Sequence, residues 1–175
     1  PHFDTRYAAQ LVLGKHWKTA DETQRKRFID SFYNFLLRSY AKAILRFDEK
    51  NIKVMPAKAE TQTERAVVET IVRLDDGTSS PVNYSVRNVD NTWKVYDVRI
   101  EGVSYVQNYR SQFNEEISAK GLEAVIARLE KETAEIDAGK EPARAATSSS
   151  ESRWACNVLE PLVTTSNCTT ATATR

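Results

Sequence analysis

The stretch Thr92-Trp93-Lys94-Val95-Tyr96-Asp97-Val98-Arg99-Ile100-Glu101-Gly102-Val103-Ser104, continued by Tyr105-Val106-Gln107-Asn108-Tyr109-Arg110-Ser111-Gln112-Phe113, decides the fold. Residues 93–100 are rich in aromatic and β-branched side chains, which fit a pleated, half-buried surface, so they predict a strand. Gly102 supplies a permissive backbone where the chain turns. Ser104 suits a helix N-cap, and Gln107 stands three residues on, at capping-box spacing. Apolar groups then recur at Tyr105/Val106, Tyr109, Phe113 and Ile117, along one side of a helix. The unit holds a helix against the end of a sheet, and what lies between them is the functional question.

Upstream, residues 51–100 alternate with a period of two and predict four strands, at about 52–59, 65–75, 81–89 and 92–100. Pro56 demotes the first towards an edge. Asp75-Asp76-Gly77 and Val89-Asp90-Asn91-Thr92 read as hairpin turns. Alternation puts Val68, Thr70, Val72 and Leu74 on one face, with Val82, Tyr84, Val86, Tyr96, Val98 and Ile100. Residues 4–14 predict a short helix capped by Asp4 and closed by Gly14. Residues 20–47 predict a long one, with Thr19 and Glu22 at capping-box spacing. Its stripe is aromatic: Phe28, Phe32, Phe35, Leu36, Tyr40, Ala43, Ile44 and Phe47. Residues 104–119 and 121–136 predict two more helices, broken at Gly121. The expected fold class is α+β: a twisted four-stranded antiparallel sheet with helices packed on one face, enclosing an apolar pocket.

At 175 residues the chain has room for one domain with a real core. That domain is expected over residues 1–137. Residues 138–152 are low in complexity and read as a linker, followed by an apolar island at 154–163 and a Thr/Ala/Ser tail. The net charge of +1 gives no electrostatic case for nucleic acid. No apolar run approaches the roughly 18–20 residues that span a bilayer. Residue 1 is a proline in mid-pattern, so the beginning reads as trimmed. Cys156 and Cys168 permit one disulfide or none.

Catalytic signatures are sparse. His2 and His16 have no partner pattern, and neither a Cys/His metal spacing, a phosphate-cradling glycine loop nor a Gly-x-Ser-x-Gly elbow occurs. Asp97 is the best candidate general base, as a strand carboxylate that a cone-shaped fold places in a pocket. A structural role beside Arg99, Arg110 or a helix N-terminus is the plainer reading. Arg73, Arg87, Lys94, Arg99 and Arg110 fall in the sheet and its corner, where they suit a phosphate head group, an acidic partner or solvent. The aromatic stripe serves equally as a filled core or as the lining of a hydrophobic-ligand pocket, since both need apolar walls.

The run from Trp93 to Ser104, with Asn108-Tyr109-Arg110-Ser111-Gln112-Phe113, closely resembles the signature of the MlaC family, also called toluene-tolerance auxiliary proteins. Pro1-His2-Phe3-Asp4, Leu11-Val12-Leu13-Gly14-Lys15-His16-Trp17, the helix from Phe28 to Phe47 and Gly121-Leu122-Glu123-Ala124-Val125-Ile126 extend the resemblance over about residues 1–135. That family's leading helix has no counterpart here, and the tail after 138 matches nothing in the family. The resemblance implies a monomeric periplasmic phospholipid carrier of Gram-negative bacteria, with no cofactor, no catalysis and phospholipid as cargo. Its implied partners are an outer-membrane lipoprotein–porin complex and the lipid-binding ring of an inner-membrane ABC transporter, in the Mla pathway that maintains outer-membrane lipid asymmetry. It implies the hollow reading of the stripe. The lining expected from periodicity is then Phe32, Phe35, Leu36, Tyr40, Ile44, Val72, Tyr84, Val86, Tyr96, Val98, Val103, Val106, Tyr109 and Phe113. Burying acyl methylenes is worth about 0.8 kcal/mol each, enough to hold two chains in water. The alternative is a cone-fold enzyme acting on a small hydrophobic substrate with Asp97 as base.

Overall fold

The computed structural model describes residues 2–44, 49–56, 64–73 and 77–139. Helix α1 spans Thr5–Leu13; the Tyr7 N–H donates to the Asp4 carboxylate, and Gly14 closes the helix at a positive φ of 53°. A single turn, α2, follows at His16–Thr19. Helix α3 runs from Glu22 to Ile44. Its cap is Asp21 rather than the expected Thr19: the Gln24 N–H donates to Asp21 Oδ1 at 2.8 Å, and the Asp21 N–H donates to Gln24 Oε1 at 3.2 Å. Ala20 is extended, so the chain leaves α2 before the capping box forms, and the Thr19 hydroxyl instead donates to the His16 carbonyl.

The sheet is an antiparallel meander in chain order: β1 (Ile52–Val54), β2 (Arg65–Arg73), β3 (Ser79–Val89), β4 (Thr92–Ile100) and β5 (Val103–Ser104). The sequence led us to expect four strands; the fifth is only two residues long. It exists because Glu101 and Gly102 both take positive φ (52° and 86°), which makes the glycine corner a two-residue hairpin. Asp90 and Asn91 (50° and 60°) make the β3–β4 hairpin the same way, as their turn chemistry predicts. On the far edge of β4, residues 2–4 continue what β5 begins. The Asp4 N–H donates to the Val95 carbonyl and the Val95 N–H to the His2 carbonyl, both at 2.8 Å.

Register corrects the alternation in β4. Tyr84 faces Val98 and Ser85 faces Asp97, but Val86 faces Val95, so Tyr96 is the extra residue of a β-bulge. Beyond the bulge the parity flips: Val95, which alternation grouped with Asp97, joins the row of Val86. Tyr96 leaves the Val98 row, and its ring stands edge-on to Tyr7 of α1 at 5.2 Å.

Helix α4 (Tyr105–Lys120) starts where β5 ends, with the Gln107 N–H donating to Ser104 Oγ at 3.1 Å, as the cap predicts. Gly121 (φ 84°) separates it from α5, Leu122–Asp137. Helices α1, α3, α4 and α5 share one core, centred on Phe28, Phe32, Phe113, Val125, Ile126 and Leu129. The Arg128 guanidinium ties α4 to α5 through Glu116 at 2.8 Å, and it also reaches Glu132 at 3.0 Å. This helical layer meets the sheet along β4 and β5. The 75–76 part of the expected Asp75-Asp76-Gly77 turn, Leu74, residues 57–59 of the first expected strand, Phe47, residues 140–152 of the linker, the 154–163 island and both cysteines lie outside the described residues.

Gly102 carries a testable consequence. A Cβ there meets nothing within 4 Å, so only the backbone resists substitution. Gly102→Ala is expected to cost about 1–2 kcal/mol, the penalty of a left-handed conformation for an L residue. Urea denaturation should show the midpoint lowered with the slope unchanged.

Candidate functional site

Two apolar surfaces are candidates for a site: an aromatic column from α3 and α4, and the apolar rows of the sheet. The column begins fully closed. Phe28 is stacked on Phe32 at 5.5 Å, and Phe113 stands edge-on to both, at 5.8 and 5.6 Å. Phe32 meets Tyr109 edge-on at 5.1 Å, as Phe35 does at 6.5 Å. Burial then falls along both helices. On α3 it passes from Phe28 (0% exposed) through Phe32 and Phe35 to half-buried Leu36, Ser39 and Tyr40. On α4 it passes from Phe113 (1%) through Tyr109 to half-buried Val106 and Tyr105. A helix repeats its face every three to four residues, so each column is one continuous stripe that opens towards one end.

Three phenols stand where the stripe opens. The Tyr40 and Tyr109 hydroxyls lie 3.3 Å apart, and the Tyr40 and Tyr105 rings meet edge-on at 5.6 Å. Burial pushes the Tyr109 hydroxyl up to about 12, and it raises Tyr40 and Tyr105 well above the ordinary phenol range. All three are therefore neutral hydrogen-bonding groups near pH 7. Ser39 Oγ is buried and, among the described residues, has no hydrogen-bond partner.

Pairing across the sheet defines its rows: Val72 with Ser80; Thr70 with Val82 and Ile100; Val68 with Tyr84 and Val98; Ala66 with Val86 and Val95. Val72, Val82 and Val86 are buried, whereas Tyr84, Val95, Val98 and Ile100 are half-buried and Val68 is 37% exposed. Burial raises the Tyr84 hydroxyl as well.

The fourteen expected lining residues thus fall into groups. Phe32, Phe35, Tyr109 and Phe113 belong to the packed helical core. Leu36, Tyr40 and Val106 lie on the opening part of the column. Val72, Tyr84, Val86 and Val98 lie on the sheet rows, and Val103 is half-buried in β5 opposite Ile100. Tyr96 is turned to Tyr7 by the bulge. The Ile44 side chain lies outside the described residues. Periodicity left Ser39 and Tyr105 out of that lining. Their signal is the spacing itself: Ser39 follows Leu36 by three and Phe35 by four, and Tyr105 precedes Tyr109 by four.

Asp97 is 7% exposed and fully engaged. Ser104 Oγ donates to its Oδ2 at 2.7 Å, the Val106 N–H donates to its Oδ1 at 3.0 Å, and Arg99 Nε stands 3.7 Å away. It pins the first turn of α4 to β4. The basic residues do not form one cluster. Arg87 pairs with Asp4 at 2.7 Å and covers the Tyr7 ring at 4.1 Å, Arg99 serves Asp97, and the Arg110 guanidinium lies against Gly14, its Nε 3.1 Å from where a Cβ there would stand. Among the described residues there is no group of three or more potential metal ligands, and no helix is long and apolar enough to cross a membrane.

A meander sheet hinged to a helical layer, with an aromatic column closed at one end and open at the other, defines an α+β protein shaped around apolar surface. The chain belongs to the MlaC protein family, whose model matches residues 1–131. It is 32% identical over 111 residues to the toluene tolerance protein Ttg2D of Pseudomonas putida, covering 63% of this chain and 51% of that protein. It is 22% identical over 133 residues to the intermembrane phospholipid transport system binding protein MlaC of Haemophilus influenzae, covering 74% of this chain and 62% of that one. The chain therefore spans only about half to three-fifths of the length of these relatives. Among solved structures it superimposes on the phospholipid-binding protein of Ralstonia solanacearum, determined in complex with a phospholipid. The TM-score is 0.71 and the identity 28%, over 78% of this chain and 76% of that one.

Proposed function

We propose that the protein is a periplasmic phospholipid carrier that holds acyl chains between the opening aromatic column and the half-buried sheet rows. The observation that carries this reading is the gradient of burial: the same stripe is closed at Phe28 and Phe113 and half-open at Leu36, Tyr40 and Tyr105. The phospholipid complex of the Ralstonia solanacearum protein supports it, because a fold of this shape accommodates such a ligand there. The lining proposed is the opening part of the column (Leu36, Tyr40, Val106) with Val72, Tyr84, Val86, Val98 and Val103, and Phe32, Phe35, Tyr109 and Phe113 form its closed floor. Tyr96 buttresses the wall from behind through Tyr7.

The carrier acts as a monomer and moves lipid between an outer-membrane lipoprotein–porin complex and the lipid-binding ring of an inner-membrane ABC transporter, maintaining outer-membrane lipid asymmetry. Binding rests on removing methylenes from water, at about 0.8 kcal/mol each. It needs no catalytic group, and the full engagement of Asp97 supports a carrier over a cone-fold enzyme with Asp97 as general base. Organic extraction of the purified, folded protein followed by mass spectrometry is expected to yield phospholipid at close to one molecule per protein. A folded preparation that yields none, and takes up none from vesicles, overturns the reading.

A further inference from the structure

We propose that Arg87 and Lys94, with Arg65 beside them, form a subsite for a phosphate oxyanion near the start of β4, on the sheet face that carries Tyr7 of α1. The subsite shares no residue with the aromatic column and does not depend on the carrier reading. Three observations carry it.

The first is register. Arg65 of β2 stands opposite Arg87 of β3, which stands opposite Lys94 of β4. Paired residues of antiparallel neighbours share a face, so cations from three strands lie side by side, an arrangement that costs stability when nothing offsets it. The bulge creates it. With unbroken pairing onward from Ser85 and Asp97, Val95 would stand opposite Arg87; the extra residue, Tyr96, brings Lys94 there instead.

The second is the balance of charges and donors. Asp4 is the carboxylate paired with Arg87, and both its oxygens are taken: Oδ1 accepts from the Tyr7 N–H at 3.0 Å and Oδ2 from Arg87 Nε at 2.7 Å. Asp97, in the neighbouring row, is committed to Ser104 and Val106. Glu64 precedes β2 and Asp90 lies in the β3–β4 turn, both outside the row. Arg87 therefore presents its Nη groups, which donate to nothing among the described residues. Lys94 is half-buried and has no ion pair among the described residues. Arg65 keeps contacts of its own and adds charge rather than a required donor. A planar fork beside an ammonium matches a tetrahedral oxyanion, which offers oxygens in several directions.

The third is rigidity. The Arg87 guanidinium lies 4.1 Å from the Tyr7 ring centroid and that of Arg65 lies 5.6 Å from it. The ring itself is met edge-on by Tyr96 at 5.2 Å, and the backbone before it is bonded to Val95. A guanidinium fixed over a ring and braced at Nε has little freedom left to lose when an anion binds. Phosphate reaches such a site from two sources, as the free ion or as the phosphodiester of a lipid head group, and the recognising chemistry is the same.

The test is an NMR titration of isotope-labelled full-length protein with inorganic phosphate and, separately, with glycerophosphoglycerol, the head of a lipid without its chains. Sodium acetate at matched ionic strength is the control. The amides of Tyr7, Arg87 and Lys94 are expected to shift and to saturate in the millimolar range. Lys94→Gln should weaken binding about fivefold to tenfold, the worth of one charge-assisted hydrogen bond at a partly exposed site, and Lys94→Arg should restore it. Replacing Lys94 leaves the Asp4–Arg87 pair intact, so the fold is not at stake. Tighter saturation by glycerophosphoglycerol supports the subsite and assigns it to lipid head groups; tighter saturation by inorganic phosphate supports it and assigns it to the free ion. Acetate that saturates the same amides as tightly overturns the proposal. So do shifts that grow without saturating, and so does binding that survives Lys94→Gln undiminished.

Discussion

Phe113→Ala is expected to destabilise the protein by about 3–5 kcal/mol, the range for deleting a large aromatic side chain from a closed core. Phe113 is 1% exposed and is ringed by Phe28, Phe32 and Tyr109, with the Arg128 guanidinium 5.6 Å from its ring. Three helices meet on it, so the space left by its ring has no neighbour able to collapse into it without breaking contacts elsewhere. Phe113→Leu should cost much less, about 1–1.5 kcal/mol, because most of the volume is kept. Urea denaturation of lipid-free protein is the deciding measurement. If Phe113 is floor, the full loss appears without lipid. If its ring met chiefly acyl chains, the lipid-free variant would be nearly as stable as the parent, and the loss would appear only as reduced lipid uptake. Tyr84 and Val98, half-buried on the sheet, should follow the second pattern: alanine there costs little without lipid and weakens loading.

The contrast between Phe113 and Val98 shows where sequence reading stops. Both are apolar, both recur at the correct period, and alternation or helical spacing selects both as inward. A packed floor and an open wall demand the same residue types, so depth along the stripe is invisible until the helices are placed. Local chemistry was far more legible. Asp90-Asn91 tolerates left-handed φ and made the expected hairpin; Ser104 capped α4; Asp4 and Gly14 bounded α1. The bulge at Tyr96 was not legible, because an inserted residue changes neither composition nor β propensity, only the count, and the count reverses every side chain beyond it. The same holds for β5: two residues are too few to show a period, and its existence follows from the positive φ of Glu101 and Gly102. At the start of α3 two capping boxes overlap in the sequence, and the extended Ala20 decides for Asp21.

Asp97→Ala is expected to cost about 3 kcal/mol, and its pattern against Asp97→Asn separates a pin from a base. The carboxylate satisfies two donors at once, the Ser104 hydroxyl and the Val106 N–H, and it places negative charge at the N-terminal end of α4. Truncation leaves two donors without their acceptor, at about 1–3 kcal/mol for each that stays buried, and removes the counter-charge beside Arg99. Asparagine keeps one acceptor. Ser104 Oγ already accepts from the Gln107 N–H and has a second lone pair, so it can turn to receive the asparagine amide. The cost should then fall to about 1–2 kcal/mol. A double-mutant cycle of Asp97→Ala with Ser104→Ala should show strong coupling, about 1–2 kcal/mol, because each removes the other's partner. The measurement that decides function is lipid content per folded molecule. A pin predicts that Asp97→Asn retains the parental lipid load while its denaturation midpoint falls. A general base predicts the reverse: a variant of near-parental stability that has lost the turnover of some hydrophobic substrate. The 2.7 and 3.0 Å bonds that hold α4 to β4 favour the pin. They also make Asp97 the joint between the sheet rows and the aromatic column, so a variant that loosens it should lose cooperativity between those two parts before it loses either fold.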